Sequence, residues 1–96
     1  MIYESKIKSA HVDELFKAIL SLETEEECYR FFDDICTINE ILAMSQRLQV
    51  AKLLKDHKTY IEIEEITKAS TATISRVNKC LVYGADGYKR ILERIK

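Results

Sequence analysis

The stretch TYIEIEEITKASTATISRVNKC, from Thr59 to Cys80, decides the fold class of this sequence. Its apolar residues recur at helical spacing in two short blocks, and a polar turn separates the blocks. Thr59 and Glu62 match a capping box, in which each side chain satisfies a free backbone N–H at a helix start, and Ser70 or Thr71 can cap the second block. The pattern predicts a helix-turn-helix, in which two short helices cross at a fixed angle. The predicted helices span about 60–68 and 71–82, within a motif at 59–82.

Apolar residues at set offsets would hold the two helices together. The residues predicted to pack between them are Ile63, Ile66, Ala69, Ile74, Val77 and Leu81. Two residues depart from the usual motif. Glu64 stands where an alanine commonly allows close helix contact, and Lys68 stands where a glycine commonly makes the turn.

The outward face of the second helix carries short polar groups and cations, which suit base edges and phosphates in a DNA major groove. The predicted DNA-contacting residues of this helix and its cap are Ser70, Thr71, Ala72, Thr73, Ser75, Arg76 and Lys79. Further phosphate contacts are expected from Lys52, Lys55, Lys58 and Lys68. An ordinary helical hairpin with a polar face is the alternative structural interpretation.

The rest of the chain also follows helical periodicity. Capping boxes at Thr24–Glu27 and Thr37–Glu40 mark two further helix starts. The sequence contains no proline and two glycines, so long helices are not interrupted. We therefore predict an all-α fold of six helices. The four helices outside the motif are expected at about 9–21, 25–35, 38–56 and 86–96.

Composition indicates one small globular domain over residues 1–96, with 47% hydrophobic and 32% charged residues. A chain this short buries a small share of its surface, so oligomerisation is expected. The net charge of −1 is unevenly distributed. Residues 1–46 hold four basic and ten acidic side chains, whereas residues 47–96 hold eleven basic and six acidic ones. The asymmetry suggests a basic working half and an acidic supporting half.

No apolar run is long enough for a membrane span, and no signal peptide is apparent, so a cytoplasmic protein is expected. Cys28, Cys36 and Cys80 are predicted to be reduced and mostly buried thiols. The two histidines lie far apart, and no cysteine or carboxylate stands at a zinc-like spacing from either. We therefore expect no metal site and no cofactor. We also expect no catalytic residue, because no nucleophile motif is present.

Three strings resemble the tryptophan repressor superfamily, and within it the YerC/YecD group of tryptophan-repressor-related proteins. They are the helix start at 37–40, Leu-Ala-Met-Ser-Gln-Arg-Leu at 42–48, and Ala-Thr-Ile-Ser-Arg at 72–76. The resemblance covers nearly the whole chain. It implies six helices in an intertwined homodimer, with dimerisation helices in 1–56, the helix-turn-helix at 59–82 and a C-terminal helix at 86–96.

The resemblance also implies where a small effector would bind. The family's repressor holds tryptophan between two arginines, beside a glycine and a serine. Arg76 matches one arginine, and Arg47 or Gln46 matches the other, depending on a one-residue gap. Val77 replaces the glycine and Cys80 the serine, so the site gains bulk and loses a hydroxyl acceptor. A tryptophan-responsive protein is therefore not expected.

These observations predict a sequence-specific, repressor-like DNA-binding regulator whose partners are double-stranded DNA and a second copy of the chain. A regulator gated by tryptophan or by another, unknown effector is an alternative. A protein-interaction or assembly module that keeps the fold is another, favoured by the near-neutral charge and by Glu62, Glu64 and Glu65 beside the motif.

Overall fold

A computed structural model describes residues 3–95, which form six α-helices and no strand. The helices are α1 (Ala10–Leu20), α2 (Glu25–Ile35), α3 (Ile38–Lys55), α4 (Tyr60–Thr67), α5 (Thr71–Tyr83) and α6 (Gly87–Arg94). The predicted all-α fold is confirmed, and each predicted helix boundary lies within two residues of the observed one. Within the described residues, every helix is too short or too polar to cross a membrane.

The chain divides into two compact units, which meet in sequence between Thr37 and Ile38. The first unit contains α1 and α2. At the start of α2, the Thr24 hydroxyl accepts a hydrogen bond from the Glu27 N–H at 3.1 Å. The Glu27 carboxylate accepts from the Glu23 N–H at 2.7 Å, one residue before the cap. The predicted capping box is therefore only half present, because Glu27 reaches past Thr24 to the preceding amide.

Within residues 3–37, no apolar side chain is buried within the chain, and several are exposed. Neither α1 nor α2 contains a buried residue. Leu20 is 83% exposed and Tyr29 is 71% exposed, and Phe16 and Ile35 are also accessible. Exposed apolar groups of this size indicate a surface suited to further burial.

The core of the second unit forms where α4, α5 and α6 pack on α3, with α6 also against α5. Its buried residues are Val50, Ala51, Ile63, Ala69, Ile74, Val77 and Leu92. Leu81 packs against this cluster, as predicted. The prediction for Ile66 was wrong, because that side chain is 52% exposed. Thr67 takes the core position instead, since it lies one full helical turn after Ile63.

The two glycines of the chain have different surroundings. Gly84 ends α5, and its amide donates to the Cys80 carbonyl at 2.9 Å. A Cβ atom at Gly84 would collide with that same carbonyl oxygen. A Cβ atom at Gly87 would meet nothing within 4 Å. Only Gly84 is therefore required by close backbone approach.

The three cysteines are free, but the prediction that they are mostly buried was wrong for two of them. Cys28 and Cys80 are exposed within the chain, and Cys36 is partly buried. Cys28 lies on a helix with no buried residue, and Cys80 lies beside, not on, the core face of α5. Among residues 3–95, no group of three or more histidine, cysteine or carboxylate side chains could hold a metal ion.

Candidate nucleic-acid interface

The first helix of the motif begins with the predicted capping box. The Thr59 hydroxyl accepts from the Glu62 N–H at 3.2 Å, and the Glu62 carboxylate accepts from the Thr59 N–H at 3.5 Å. The Thr59 hydroxyl also donates to that carboxylate at 3.1 Å. These bonds satisfy amides that the first turn of α4 leaves without a helical partner. The start of the motif is therefore fixed by local sequence.

Thr67 organises the turn between the two helices. Its hydroxyl donates to the Ile63 carbonyl at 2.8 Å and accepts from the Ala69 N–H at 3.1 Å. The side-chain amide of Gln46, on α3, donates to the Thr67 carbonyl at 3.1 Å. The end of α4 is thus joined both to the following turn and to α3. This network sets the direction in which α5 leaves the turn.

Lys68 adopts the backbone conformation that the glycine of the usual motif would provide. Its φ is 63° and its ψ is 13°, in the left-handed region. Its amide donates to the Glu64 carbonyl at 2.8 Å and so closes α4. Left-handed backbone is unfavourable for a residue with a Cβ atom. The chain therefore makes the same turn with a lysine, whose side chain is exposed beside the start of α5.

Ser70 is the residue that caps α5, which settles the choice between Ser70 and Thr71. The Ser70 hydroxyl accepts from the Thr73 N–H at 3.1 Å and donates to the Thr73 hydroxyl at 3.1 Å. Thr71 is consequently the first residue of the helix. Its amide and that of Ala72 belong to the free N–H groups of a helix N-terminus, which carries partial positive charge.

The structure places the predicted DNA-contacting side chains on the outside of the motif. Ile74 and Val77 direct one side of α5 into the core, as predicted. The exposed members of the predicted set are Lys58, Lys68, Ser70, Thr71, Ala72, Ser75, Arg76 and Lys79, and Thr73 is partly buried. The arrangement leaves the N-terminal half of α5 free to enter a groove.

The cations of this surface differ in their partners. Lys58 lies 4.0 Å from the Glu62 carboxylate, with both side chains about half exposed. Within residues 3–95, Lys68, Arg76 and Lys79 form no ion pair with a carboxylate. These three cations are therefore free to contact phosphates, whereas Lys58 would first have to leave Glu62.

One residue of the site was not recognised from the sequence. The Thr71 hydroxyl donates a long hydrogen bond, 3.5 Å, to the carboxylate of Glu64 on α4. A shallow cleft of about 460 Å³ opens at this junction of α4, the turn and the α5 cap. Its lining residues are Ile61, Glu64, Glu65, Lys68, Ala69 and Ser70. Sequence spacing does not reveal the Glu64 contact, because it bridges seven positions across a turn.

The residues that the resemblance assigns to an effector have unlike environments. Val77 is 1% exposed and belongs to the core, Arg47 is partly buried, and Arg76 is exposed. Cys80 lines an open apolar groove of about 460 Å³ between α3, α5 and α6. Neither arginine nor Val77 lines that groove. Gln46, the alternative match to the family's second arginine, donates a hydrogen bond to the Thr67 carbonyl.

Comparisons with known proteins agree with this architecture. The model of a family described as Trp repressor protein matches residues 10–96. The chain is 57% identical over 91 residues to the uncharacterised protein YerC of Bacillus subtilis (strain 168), covering 95% of this chain and 88% of YerC. A crystal structure of a TrpR-like protein from Eubacterium eligens ATCC 27750 matches with a TM-score of 0.90 and 60% identity, over 94% of this chain and 93% of that one. A candidate Trp repressor from Staphylococcus aureus matches with a TM-score of 0.90 and 59% identity, over 94% and 90%.

Proposed function

The chain belongs to the Trp repressor protein family, as its sequence predicts, and on that premise we propose that it is a sequence-specific DNA-binding transcription regulator of the repressor type. The supporting observation is the exposed outer face of the N-terminal half of α5, which follows a turn fixed by Thr67. Short polar side chains and free cations are the groups that base edges and phosphates require. Such a regulator would act in the cytoplasm on double-stranded DNA.

In this mechanism, α5 is the recognition helix and enters the major groove with its N-terminal end first. Thr71 and Ala72 lie nearest the base edges, while Lys68 and Lys79 neutralise phosphates. Arg76 is exposed one turn before Lys79 and contributes a contact at the groove wall. The free amides at the start of α5 provide a further site for a phosphate oxygen.

The regulator would work as a homodimer. Its support is the exposed apolar surface of α1 and α2, on which no side chain is buried within the chain. Two recognition helices would then enter successive major grooves about one helical turn apart, roughly 34–36 Å. The operator is therefore expected to be approximately palindromic.

We further infer that tryptophan is not the effector. Val77 stands at the glycine position of the family's ligand site, and its side chain fills the core. Cys80 offers a thiol, which accepts hydrogen bonds weakly, where the family has a serine. A regulator without a small effector fits these residues better than one gated by tryptophan.

A mobility-shift series across salt concentrations tests the proposed function, using duplexes selected from a random pool and scrambled controls. Lys79→Ala should weaken binding to all sequences alike and lower the salt slope by about one per half-site, because one phosphate contact is lost. Lys89→Ala, on α6, removes the same charge outside the motif and should leave the slope unchanged. If the wild-type protein retains neither duplex at about 50 mM salt, where phosphate contacts are strong, the DNA-binding function is wrong.

That negative result would favour the assembly-module alternative. The observation behind this alternative is the acidic outer surface of α4, where Glu62, Glu64 and Glu65 are all exposed. Carboxylates next to a DNA-binding helix oppose phosphate contact, whereas a protein partner could use them. Salt-dependent retention of DNA therefore separates the two functions directly.

A further inference from the structure

We propose that Glu64 determines which base the recognition helix selects, by holding the Thr71 hydroxyl as a hydrogen-bond acceptor. Thr71 would then prefer cytosine or adenine on the strand nearest to it. This inference rests on the proposed DNA-binding function and adds to it the identity of a base contact. It assigns a role to an acidic residue that opposes DNA binding on charge alone.

Glu64 lies beside the N-terminal end of α5. Glu64 lies in the last turn of α4, and its carbonyl accepts from the Lys68 amide that closes this helix. Its carboxylate lies 3.5 Å from the Thr71 hydroxyl, at the first residue of α5. Among the described residues, the Thr71 hydroxyl donates this hydrogen bond and makes no other. Both side chains are exposed, so the pair sits at the surface that would face DNA.

The hydrogen-bonding capacity of the Thr71 hydroxyl explains how its contact with Glu64 would produce a base preference. A threonine hydroxyl has one proton to donate and two lone pairs that accept. An ionised carboxylate can only accept hydrogen bonds, so the bond to Glu64 uses the single O–H that Thr71 can donate. The lone pairs that remain can accept only from a donor. In the major groove the donors are the amino groups of cytosine and adenine, whereas guanine and thymine present acceptors at the equivalent edge.

The charge of Glu64 should affect the overall affinity for DNA, whereas its hydrogen bond to Thr71 should affect base preference. A carboxylate at the groove repels phosphates, so its removal should strengthen binding to all sequences. The partial positive charge at the start of α5 holds the carboxylate in place. Glu65 is exposed on the same helix but has no hydrogen bond to α5 within residues 3–95. Glu64 and Glu65 should therefore affect overall affinity similarly and base preference differently.

Selection of bound duplexes from a random pool, followed by competition binding, tests the assignment. Four variants of the full chain are compared with wild type: Glu64→Ala, Glu65→Ala, Thr71→Val and Thr71→Ser. We expect wild type and Thr71→Ser to prefer cytosine or adenine at one position of each half-site by about fivefold to tenfold, which lies within the roughly 2- to 13-fold range of a single net hydrogen bond. Glu64→Ala, which removes the acceptor, and Thr71→Val should reduce that preference to less than twofold. Glu65→Ala should keep it and, like Glu64→Ala, should bind more tightly.

Three results would overturn the assignment, in two distinguishable ways. If wild type selects an operator but Glu64→Ala keeps the same base preference as Glu65→Ala, Glu64 has no role in selection, and the proposed function stands. The same conclusion follows if wild type prefers guanine or thymine at the position that Thr71→Val alters. If wild type enriches no sequence, the proposed function fails and the role of Glu64 fails with it. Thermal melting confirms that each variant remains folded, since all these positions are exposed.

Discussion

The turn before α5 depends on the buried hydroxyl of Thr67. Thr67→Val should show how much this hydroxyl contributes to the stability of the protein. Valine keeps the shape of threonine but removes the acceptor that the Ala69 N–H uses at 3.1 Å. Ala69 is 2% exposed, so water cannot replace that acceptor. An unsatisfied buried N–H costs about 1–3 kcal/mol. The Ile63 carbonyl also loses the hydroxyl but keeps its helical partner.

Burying a methyl group in place of the hydroxyl offsets about 0.8 kcal/mol of this loss. For a mid-range cost of about 2 kcal/mol, the expected net destabilisation is therefore about 1.2 kcal/mol. For a chain of 96 residues, that corresponds to a decrease in Tm of roughly 5–10 °C. The assay is thermal melting followed by circular dichroism at one fixed protein concentration, because association changes the apparent Tm.

Two control variants test whether the lower stability comes from loss of the buried Thr67 hydroxyl. Thr67→Ser keeps both hydrogen bonds and should lose less than Thr67→Val. Thr71→Val makes the same replacement at an exposed helix start, where an effect within about 0.5 kcal/mol is expected. A Thr67→Val protein that melts within about 2 °C of wild type would refute the reasoning, since the Ala69 amide would then have another partner.

Three further predictions concern the dimer, the effector and the turn. Deleting residues 1–21 should unfold the protein, because α1 is expected to cover a partner chain; a stable monomer of the full chain at micromolar concentration in sedimentation would contradict this. Calorimetry should give no saturable tryptophan isotherm at millimolar ligand, because Val77 adds bulk where the family's site has a glycine and Cys80 lacks the serine hydroxyl, and a one-per-chain isotherm in the micromolar range would show that Val77 moves aside. Lys68→Gly should raise Tm by about 2–8 °C in a parallel melt, because relief of left-handed strain exceeds the added entropy of the unfolded chain; a lower Tm would mean that the lysine side chain stabilises the turn.

The parts of the fold that local chemistry determines could be predicted from the sequence. Thr59 and Glu62 are three residues apart, and their reciprocal bonds form as the capping pattern indicates. Ser70 was one of two candidates for the next cap, and the structure selects it. The helix boundaries followed because most are set by such short-range groups.

The errors arose where tertiary packing decides between neighbouring positions. Hydropathy favoured Ile66 for the core, but the turn places Thr67 there and uses its hydroxyl for two backbone groups. The family resemblance left Gln46 and Arg47 as alternatives. The structure engages Gln46 with the Thr67 carbonyl, a contact across 21 positions that no local pattern contains.

The candidate site was predictable as a surface but not as a set of pairings. Helical periodicity correctly placed Ser75 and Lys79 on the outside of α5. It could not show that Lys58 lies beside Glu62 while Lys79 is unpaired within the described chain. The role of Glu64 depends on the angle between α4 and α5, which the sequence determines only through the complete fold.

The contrast between Gly84 and Gly87 bears on how this sequence can drift during evolution. At Gly84 a Cβ atom would collide with the Cys80 carbonyl of α5, so substitutions of this residue are expected to be disfavoured. At Gly87 the space is open, and a larger residue can accumulate without a clash. Because Gly84 ends α5, the helix proposed to read DNA, retention of this glycine would also keep the length of that helix. Sequence change is therefore expected at Gly87, after the loop, whereas the helix proposed to read DNA should keep its length.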